Sequence, residues 1–296
     1  VAFLRDAGWA VRAVVRRTRP YLPADEQVVL DVRERPDALR SAFEACDAVL
    51  HLAGANEVDA AEDPDAALAD TVLGSRHVAA AATDAGVGRL TYVSTVHVYG
   101  RALVDGAVIT EDVVPAPMAT YGIARLASEH VIRAEAGRGS MEVVALRLTN
   151  GVGAPVDPRV ARWTLVGNDL CRQAALDGRL VLRSSGVQWR DFIAIADVMR
   201  AVGSAVAPGG LPDGTYNLGS GAPMTILDLA ALVQDAIEEE TGKRPPLEAP
   251  PAPDVRPLPY HVDVDRLARL GVTPQVSIAS AMAETARFCL EHREAL

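Results

Sequence analysis

The run Leu90-Thr91-Tyr92-Val93-Ser94-Thr95-Val96-His97-Val98-Tyr99-Gly100 constrains the fold of this chain more than any other stretch. It is apolar and β-branched and carries its hydroxyls near the end, as a strand does when it delivers a hydroxyl to a site. Further on, Tyr121 and Arg125 stand four residues apart, in a segment whose Leu126, Val131 and Ile132 read as helical. That spacing sets a phenol and a cation on one helical face. An unperturbed tyrosine titrates near pH ~10, and a neighbouring cation favours the phenolate, so the pair is expected to hold a lowered phenol pKa suited to acid–base work. A Tyr and an Arg one turn apart also occur on ordinary solvent-facing helices, and it is the hydroxyl-bearing strand upstream that gives this pair weight.

Other segments repeat the strand-then-helix alternation. Residues 1–7 read as the end of a helix stopped by Gly8, 10–15 and 28–32 as strands, and 37–45 as a helix. Residues 48–55 read as a buried parallel strand running into the small-residue turn Leu52-Ala53-Gly54-Ala55, where a ligand can approach the backbone. His51 within it reads as a satisfied core histidine. An alanine-rich helix is expected over 65–85, a helix from Tyr121, a strand over 142–148 and another helix from Ile226. Prolines crowd 245–259 too densely for a helix or a central strand, so that stretch reads as a loop.

Together the strand at 90–100 and the Tyr121-x-x-x-Arg125 pair resemble the extended short-chain dehydrogenase/reductase family, also called the NAD-dependent epimerase/dehydratase family. Its pattern is Ser-Ser/Thr followed by Val-Tyr-Gly, and then Tyr-x-x-x-Lys. The resemblance implies an α/β fold with a doubly wound, Rossmann-like parallel sheet and a smaller C-terminal substrate domain. It implies a dinucleotide-binding domain over 1–150 and a discontinuous substrate-binding domain over 151–296, some segments of which return to the core. The family's glycine-rich loop and first strand would fall just before Val1, which makes the sequence look truncated there. A missing first strand is expected to leave a gap in the centre of the sheet.

The resemblance also assigns roles. Thr95 and Tyr121 are the implied proton-handling pair, with Arg125 in the lysine position; Ser94, Val96 and His97 are implied at the substrate. Arg keeps the charge of Lys with a larger planar fork. Since Lys243 is the only lysine and the other 28 basic residues are Arg, a drift toward Arg with activity retained is favoured over a degenerate site. On the cofactor side the resemblance implies Asp31 and Val32 at the adenine, Leu52, Ala53 and Gly54 over the pyrophosphate and ribose, and Thr71 where the family has Asn. Arg16 and Arg17, at the end of the strand over 10–15, favour NADP over NAD, because Arg accommodates a 2'-phosphate where an acidic residue would bind the 2'-hydroxyl. A solvated basic turn is the alternative there.

For the substrate, Asn150 in Thr149-Asn150-Gly151-Val152-Gly153 and Arg190 in Gln188-Trp189-Arg190-Asp191-Phe192-Ile193 are implied diphosphate ligands, and Arg256 is a weaker nucleotide ligand. The expected activity is NAD(P)-dependent redox chemistry on a nucleotide-activated sugar, by keto reduction or epimerisation at carbon 4. The 4,6-dehydratases of the family have an acidic pair at the positions of Val96 and His97, which disfavours dehydration. The alternative is a non-catalytic nucleotide-sensing or scaffold protein on the same fold. Corresponding family helices pair across a two-fold axis, and the apolar content of 66–85 and 121–136 leads us to expect a homodimer.

Composition closes off other classes. A net charge of -10 argues against a duplex nucleic-acid partner, which needs clustered cations. No apolar run approaches a membrane span and no signal peptide is visible, so a cytoplasmic protein without a membrane partner is expected. Cys46, Cys171 and Cys289 are odd in number and lack metal-ligand spacing, so neither a disulfide nor a metal is expected.

Overall fold

The computed structural model describes residues 1–296 except 34–35 and 161–162. The chain forms two compact units. The first comprises Val1–Ala102, Glu111–Leu148 and Ala201–Tyr216, and the second Leu103–Thr110, Thr149–Arg200 and Asn217–Leu296.

The first unit opens with α1 (Ala2–Asp6), followed by β1 (Arg12–Val15) and β2 (Glu26–Val29), then α2 (Pro36–Phe43) and β3 (Ala48–His51). Next come the short helices α3 (Glu57–Glu62) and α4 (Pro64–Leu68), a π-helical turn over Ala69–Leu73, and α5 (Gly74–Asp84). β4 (Arg89–Thr95), α6 (Thr120–Ala136), β5 (Glu142–Leu148) and β6 (Gly214–Leu218) complete it, the last two residues of β6 falling in the second unit. β6, β5, β4 and β3 are hydrogen-bonded in that order, and β3–β4 and β4–β5 run parallel. β4 and β5 are buried along almost their whole length, which explains why they read as continuous apolar runs rather than alternating ones.

β1 and β2 pair parallel with each other, Arg12 opposite Glu26, and form a separate two-stranded sheet. Among the described residues β1 has a ladder only to β2, and β3 only to β4. Among the described residues the β1–β2 pair and the four-stranded sheet share no ladder.

The helix expected over 65–85 is divided. Asp63 caps α4 by accepting from the Ala66 amide, and the π turn at Ala69–Leu73 shifts the register before α5 begins. Such turns often mark functional positions in helices. Ala79, Ala80, Ala81 and Ala82 are all buried within this unit, among the residues that pack α5 against α2 and α6. Their small side chains are therefore used inside the chain, and they do not by themselves point to a partner. The core around them includes Leu39, Phe43, Val78, Leu90, Tyr92, Ile132 and Val143.

The second unit is organised by α7 (Val166–Asp177), α8 (Ile226–Thr241) and α9 (Ile278–Glu291), which share a core with Phe192, Leu229, Val233 and Met282. α8 starts with a capping box in which the Thr225 hydroxyl accepts from the Asp228 amide and the Asp228 carboxylate accepts from the Thr225 amide. The proline-rich stretch contains one exception to the expected loop. Leu247–Glu248 pairs parallel with Leu180–Val181, an edge position that neighbouring prolines permit. Among the described residues no helix is long and apolar enough to cross a membrane.

Candidate active site

Thr95 is the last residue of β4 and Tyr121 lies in the first turn of α6. The Thr95 hydroxyl accepts the His97 amide at 3.2 Å and hydrogen-bonds the Tyr121 phenol. Between them the chain turns through a 3-10 segment, Val96–Ala102, that needs Gly100. Gly100 has φ 46°, and a Cβ there would fall 2.1 Å from the Ala116 carbonyl oxygen. No larger residue fits that turn.

Arg125 sits one turn after Tyr121, as the four-residue spacing requires, with its guanidinium carbon 5.4 Å from the Tyr121 ring centre and 5.9 Å from that of Tyr92. Its terminal nitrogens donate to the Ala55 carbonyl at 3.2 Å, and to the Val93 carbonyl and the Tyr92 hydroxyl at 3.4 Å each. Burial works against the Arg125 charge, but the oxygens of Tyr92 and Tyr121 outweigh it and raise its pKa. The cation is secure.

The expectation for Tyr121 itself is corrected. Burial raises its pKa above the ordinary value, and Glu57 adds to the rise, while Arg125 and the Thr95 hydrogen bond pull the other way without winning. The sequence showed the cation but could not show how much water the fold removes from the phenol.

Two further assignments are corrected. The Ser94 hydroxyl, expected at the substrate, donates to buried Glu129 at 2.5 Å. Ser94 is in register with Arg147 on β5, and both side chains serve the same carboxylate. Thr71 is 1% exposed, and its hydroxyl accepts the Ala55 amide at 3.0 Å. Its short side chain reaches only the turn after β3, where it holds one side of Ala55 while Arg125 holds the other. Val96 is likewise buried, whereas His97 is exposed with its ring edge against Tyr121, centres 5.8 Å apart. His51 is the core histidine expected. It stacks on Tyr92, its Nε2 lies 2.9 Å from the Ser75 hydroxyl, and burial, aided by the Arg125 charge, lowers its pKa to about 3.

The cofactor-side residues line the carboxyl ends of β1, β2 and β3, where doubly wound sheets bind ligands. Leu52 is 59% exposed and Gly54 has φ 142°, with a Cβ there meeting Thr71 and Arg125 at 3.2–3.3 Å. Only glycine leaves that approach open. Val32 packs against Gly74, whose added Cβ would come within 2.8 Å of it. Arg16 lies 3.6 Å from Asp70, exposed Arg17 follows it, and Arg33 bridges Asp31 and Asp70 at 2.7 and 3.4 Å. An apolar shelf, a glycine cradle, guanidiniums at the far end and a buried Arg125 Nε with no protein partner fit a dinucleotide.

In the second unit Asn150 donates to the Asp191 carbonyl at 2.8 Å. The Arg190 guanidinium donates to the Trp189 carbonyl at 2.7 Å and hydrogen-bonds Tyr260. Trp189 reaches the Pro257 carbonyl at 2.9 Å, which ties the loop carrying exposed Arg256 to the Arg190 strand. Asp191, 1% exposed, accepts from the Thr149 hydroxyl at 2.9 Å and the Ser220 amide at 2.8 Å. It organises this cluster.

The description of the NAD dependent epimerase/dehydratase family matches residues 1–219. The chain belongs to that family. A curated family relative, dTDP-6-deoxy-L-talose 4-dehydrogenase (NAD(P)(+)) of Kitasatospora kifunensis, is 34% identical over 223 residues, which cover 73% of this chain and 67% of the relative. MoeE5, solved in complex with UDP-glucose and NAD, superposes with a TM-score of 0.80 at 25% identity, covering 100% of this chain and 94% of that one. RMD from Pseudomonas aeruginosa, solved with NADPH, gives 0.75 at 25% identity over 91% of this chain and 89% of its own. NAD and NADPH forms thus both occur among the structural neighbours.

Proposed function

We propose that this chain carries out NAD(P)-dependent redox chemistry on a nucleotide-activated sugar in the cytoplasm, as carbon-4 keto reduction or epimerisation. The observation that supports this best is the convergence of Thr95, Tyr121 and Arg125 at the carboxyl end of β4. Bound NAD(P) supplies the hydride donor or acceptor. Tyr121 takes the proton from the sugar hydroxyl during oxidation and returns one to the carbonyl oxygen during reduction. Thr95 hydrogen-bonds that oxygen, and Arg125 stabilises the phenolate. In reduction the protonated phenol gives its proton to the carbonyl oxygen, and in oxidation it must first lose that proton.

The unit carrying the four-stranded sheet is the proposed dinucleotide-binding domain. Within it Leu52, Ala53 and Gly54 underlie the cofactor, Asp31 and Val32 meet the adenine, and Arg16 and Arg17 give a preference for NADP. In the other unit Asn150, Arg190 and Arg256 are the proposed ligands of the substrate diphosphate. Burial of Val96 speaks against 4,6-dehydration, because valine does no proton chemistry. A homodimer is proposed through α6, where Ile123, His130 and Ala134 stand exposed on the helix.

A second reading, a non-catalytic nucleotide-binding protein on the same fold, draws on one observation. Three Arg125 donor contacts go to Ala55, Val93 and Tyr92, which is what a purely structural arginine would do. Turnover assays separate the two. Nucleoside-diphosphate 4-keto hexoses with NADPH or NADH should be reduced by the protein, and Tyr121→Phe should stop this with cofactor affinity retained. Cofactor and sugar-nucleotide binding without turnover in either protein would favour the second reading.

A further inference from the structure

Behind Thr95 lies a buried charge cluster that the proton chemistry does not touch. Glu129, two turns after Tyr121 on α6, is 5% exposed and accepts from Arg147 twice, from Nε at 3.1 Å and from a terminal nitrogen at 2.7 Å. The oxygen that accepts Nε, Oε1, also accepts the Ser94 hydroxyl at 2.5 Å. Arg147, 6% exposed, lies with its guanidinium carbon 4.9 Å from the Tyr99 ring centre and hydrogen-bonds the Tyr99 side chain. Burial opposes the Arg147 charge, yet Glu129 outweighs it and raises the Arg147 pKa.

We propose that Glu129 and Arg147 are positioning residues that, through Ser94 and Tyr99, set Thr95 within hydrogen-bond reach of Tyr121. The inference rests on the reading of Thr95 and Tyr121 as the proton-handling pair. Four separate elements meet at the cluster: the end of β4, the 3-10 segment after it, α6 and β5. Ser94 is covalently adjacent to Thr95, and Glu129 belongs to the same rigid helix as Tyr121. Fixing Ser94 to Glu129 therefore fixes the spacing between the threonine hydroxyl and the phenol. The register adds a second constraint, since Ser94 and Thr95 lie opposite Arg147 and Leu148. Tyr99, 0% exposed, braces the segment that carries His97.

Stability alone does not explain the cluster. A buried ion pair loses to desolvation much of what it gains in attraction, and apolar residues of similar volume often serve as well or better. What apolar residues cannot do is specify one alignment of a strand end against a helix by directed bonds. An alignment function therefore accounts for charges at positions whose neighbours in β5, Val143, Val144, Ala145 and Leu146, are all apolar and buried.

The test reads Tyr121 directly and needs no substrate. With 3,5-difluorotyrosine at position 121, whose phenol titrates at lower pH than tyrosine, fluorine NMR gives its midpoint in each background. Thr95→Val calibrates the upward shift when the hydrogen bond is removed. The paired replacement Glu129→Leu with Arg147→Met is expected to keep a similar thermal midpoint and yet shift the phenol upward by an amount comparable to Thr95→Val. Ser94→Ala, the gentler variant should the pair fail to fold, is expected to shift it in the same direction. Titration unchanged from the parent in Ser94→Ala and in a folded double variant would overturn the proposal. So would an unchanged midpoint in Thr95→Val, since no bond would then exist to be positioned. Turnover does not enter, so failure of the proposed sugar chemistry would be seen separately.

Discussion

Two of the charged regions of the sheet-bearing unit are built in opposite ways. At the inner end of β4, Glu129 and Arg147 are buried, with contacts of 2.5–3.1 Å to each other and to Ser94. At the ends of β1 and β2, the Arg16 and Arg33 side chains are 69% and 50% exposed and stand 3.4–3.6 Å from Asp70. In the first region water is excluded, each bond is directional, and losing one partner strands a charge. In the second, water screens the charges and the long side chains can regroup around an incoming phosphate. The first suits holding a geometry, and the second suits admitting a ligand.

The comparison breaks most visibly by stranding the buried carboxylate. Arg147→Ala should cost about 3–5 kcal/mol in denaturant unfolding, because it removes one partner of a buried ion pair and leaves Glu129 without its hydrogen-bonding counter-charge. A loss below ~1 kcal/mol, the range of exposed pairs, would mean that the two regions do not differ as described.

A smaller effect is expected at Arg125, which lies between the extremes: it is buried, but its bonds reach 3.2–3.4 Å. Arg125→Met removes a charge that lowers the Tyr121 pKa, so the phenol should titrate still higher. Sugar oxidation needs the phenolate and rises with pH until the phenol has titrated. Its pH profile should therefore move to higher pH, and activity at a fixed neutral pH should fall roughly in proportion to the fraction of phenolate lost. Arg125→Lys should be tolerated. A pH profile that does not move in Arg125→Met would remove Arg125 from the proton chemistry.

The smallest effect is expected at the surface. Arg16→Ala should leave unfolding within about 1 kcal/mol of the parent, while reducing the preference for NADPH over NADH in direct fluorescence titrations. The remaining preference should weaken with added salt, as exposed charges do. Equal loss of affinity for both cofactors would sink the phosphate role of Arg16.

These regions are unequally legible in the sequence. The continuous apolar runs of β4 and β5 can be read because parallel strands buried on both faces leave that pattern. The Tyr121 and Arg125 pairing follows from helical spacing alone. The π turn at Ala69–Leu73 cannot be read, since its residues are ordinary helix formers and only packing shows the shift in register. Nor can the direction of the Tyr121 pKa, which depends on desolvation by distant segments. The Glu129–Arg147 pair does leave a signal: an arginine inside Val143-Val144-Ala145-Leu146-Arg147-Leu148 must find an acidic partner if the strand is central. Ser94 leaves no such signal, because its partner lies 35 residues away on another element.

Isotope transfer tests the central claim most directly. The protein would be given an NADPH deuterated at the transferable position of the nicotinamide, together with a nucleoside-diphosphate 4-keto hexose, and the product examined by NMR. Deuterium bound at carbon 4 of the sugar is the expected result, with none transferred by Tyr121→Phe although it binds the cofactor as tightly. Label at another carbon, or full transfer by Tyr121→Phe, would contradict the account.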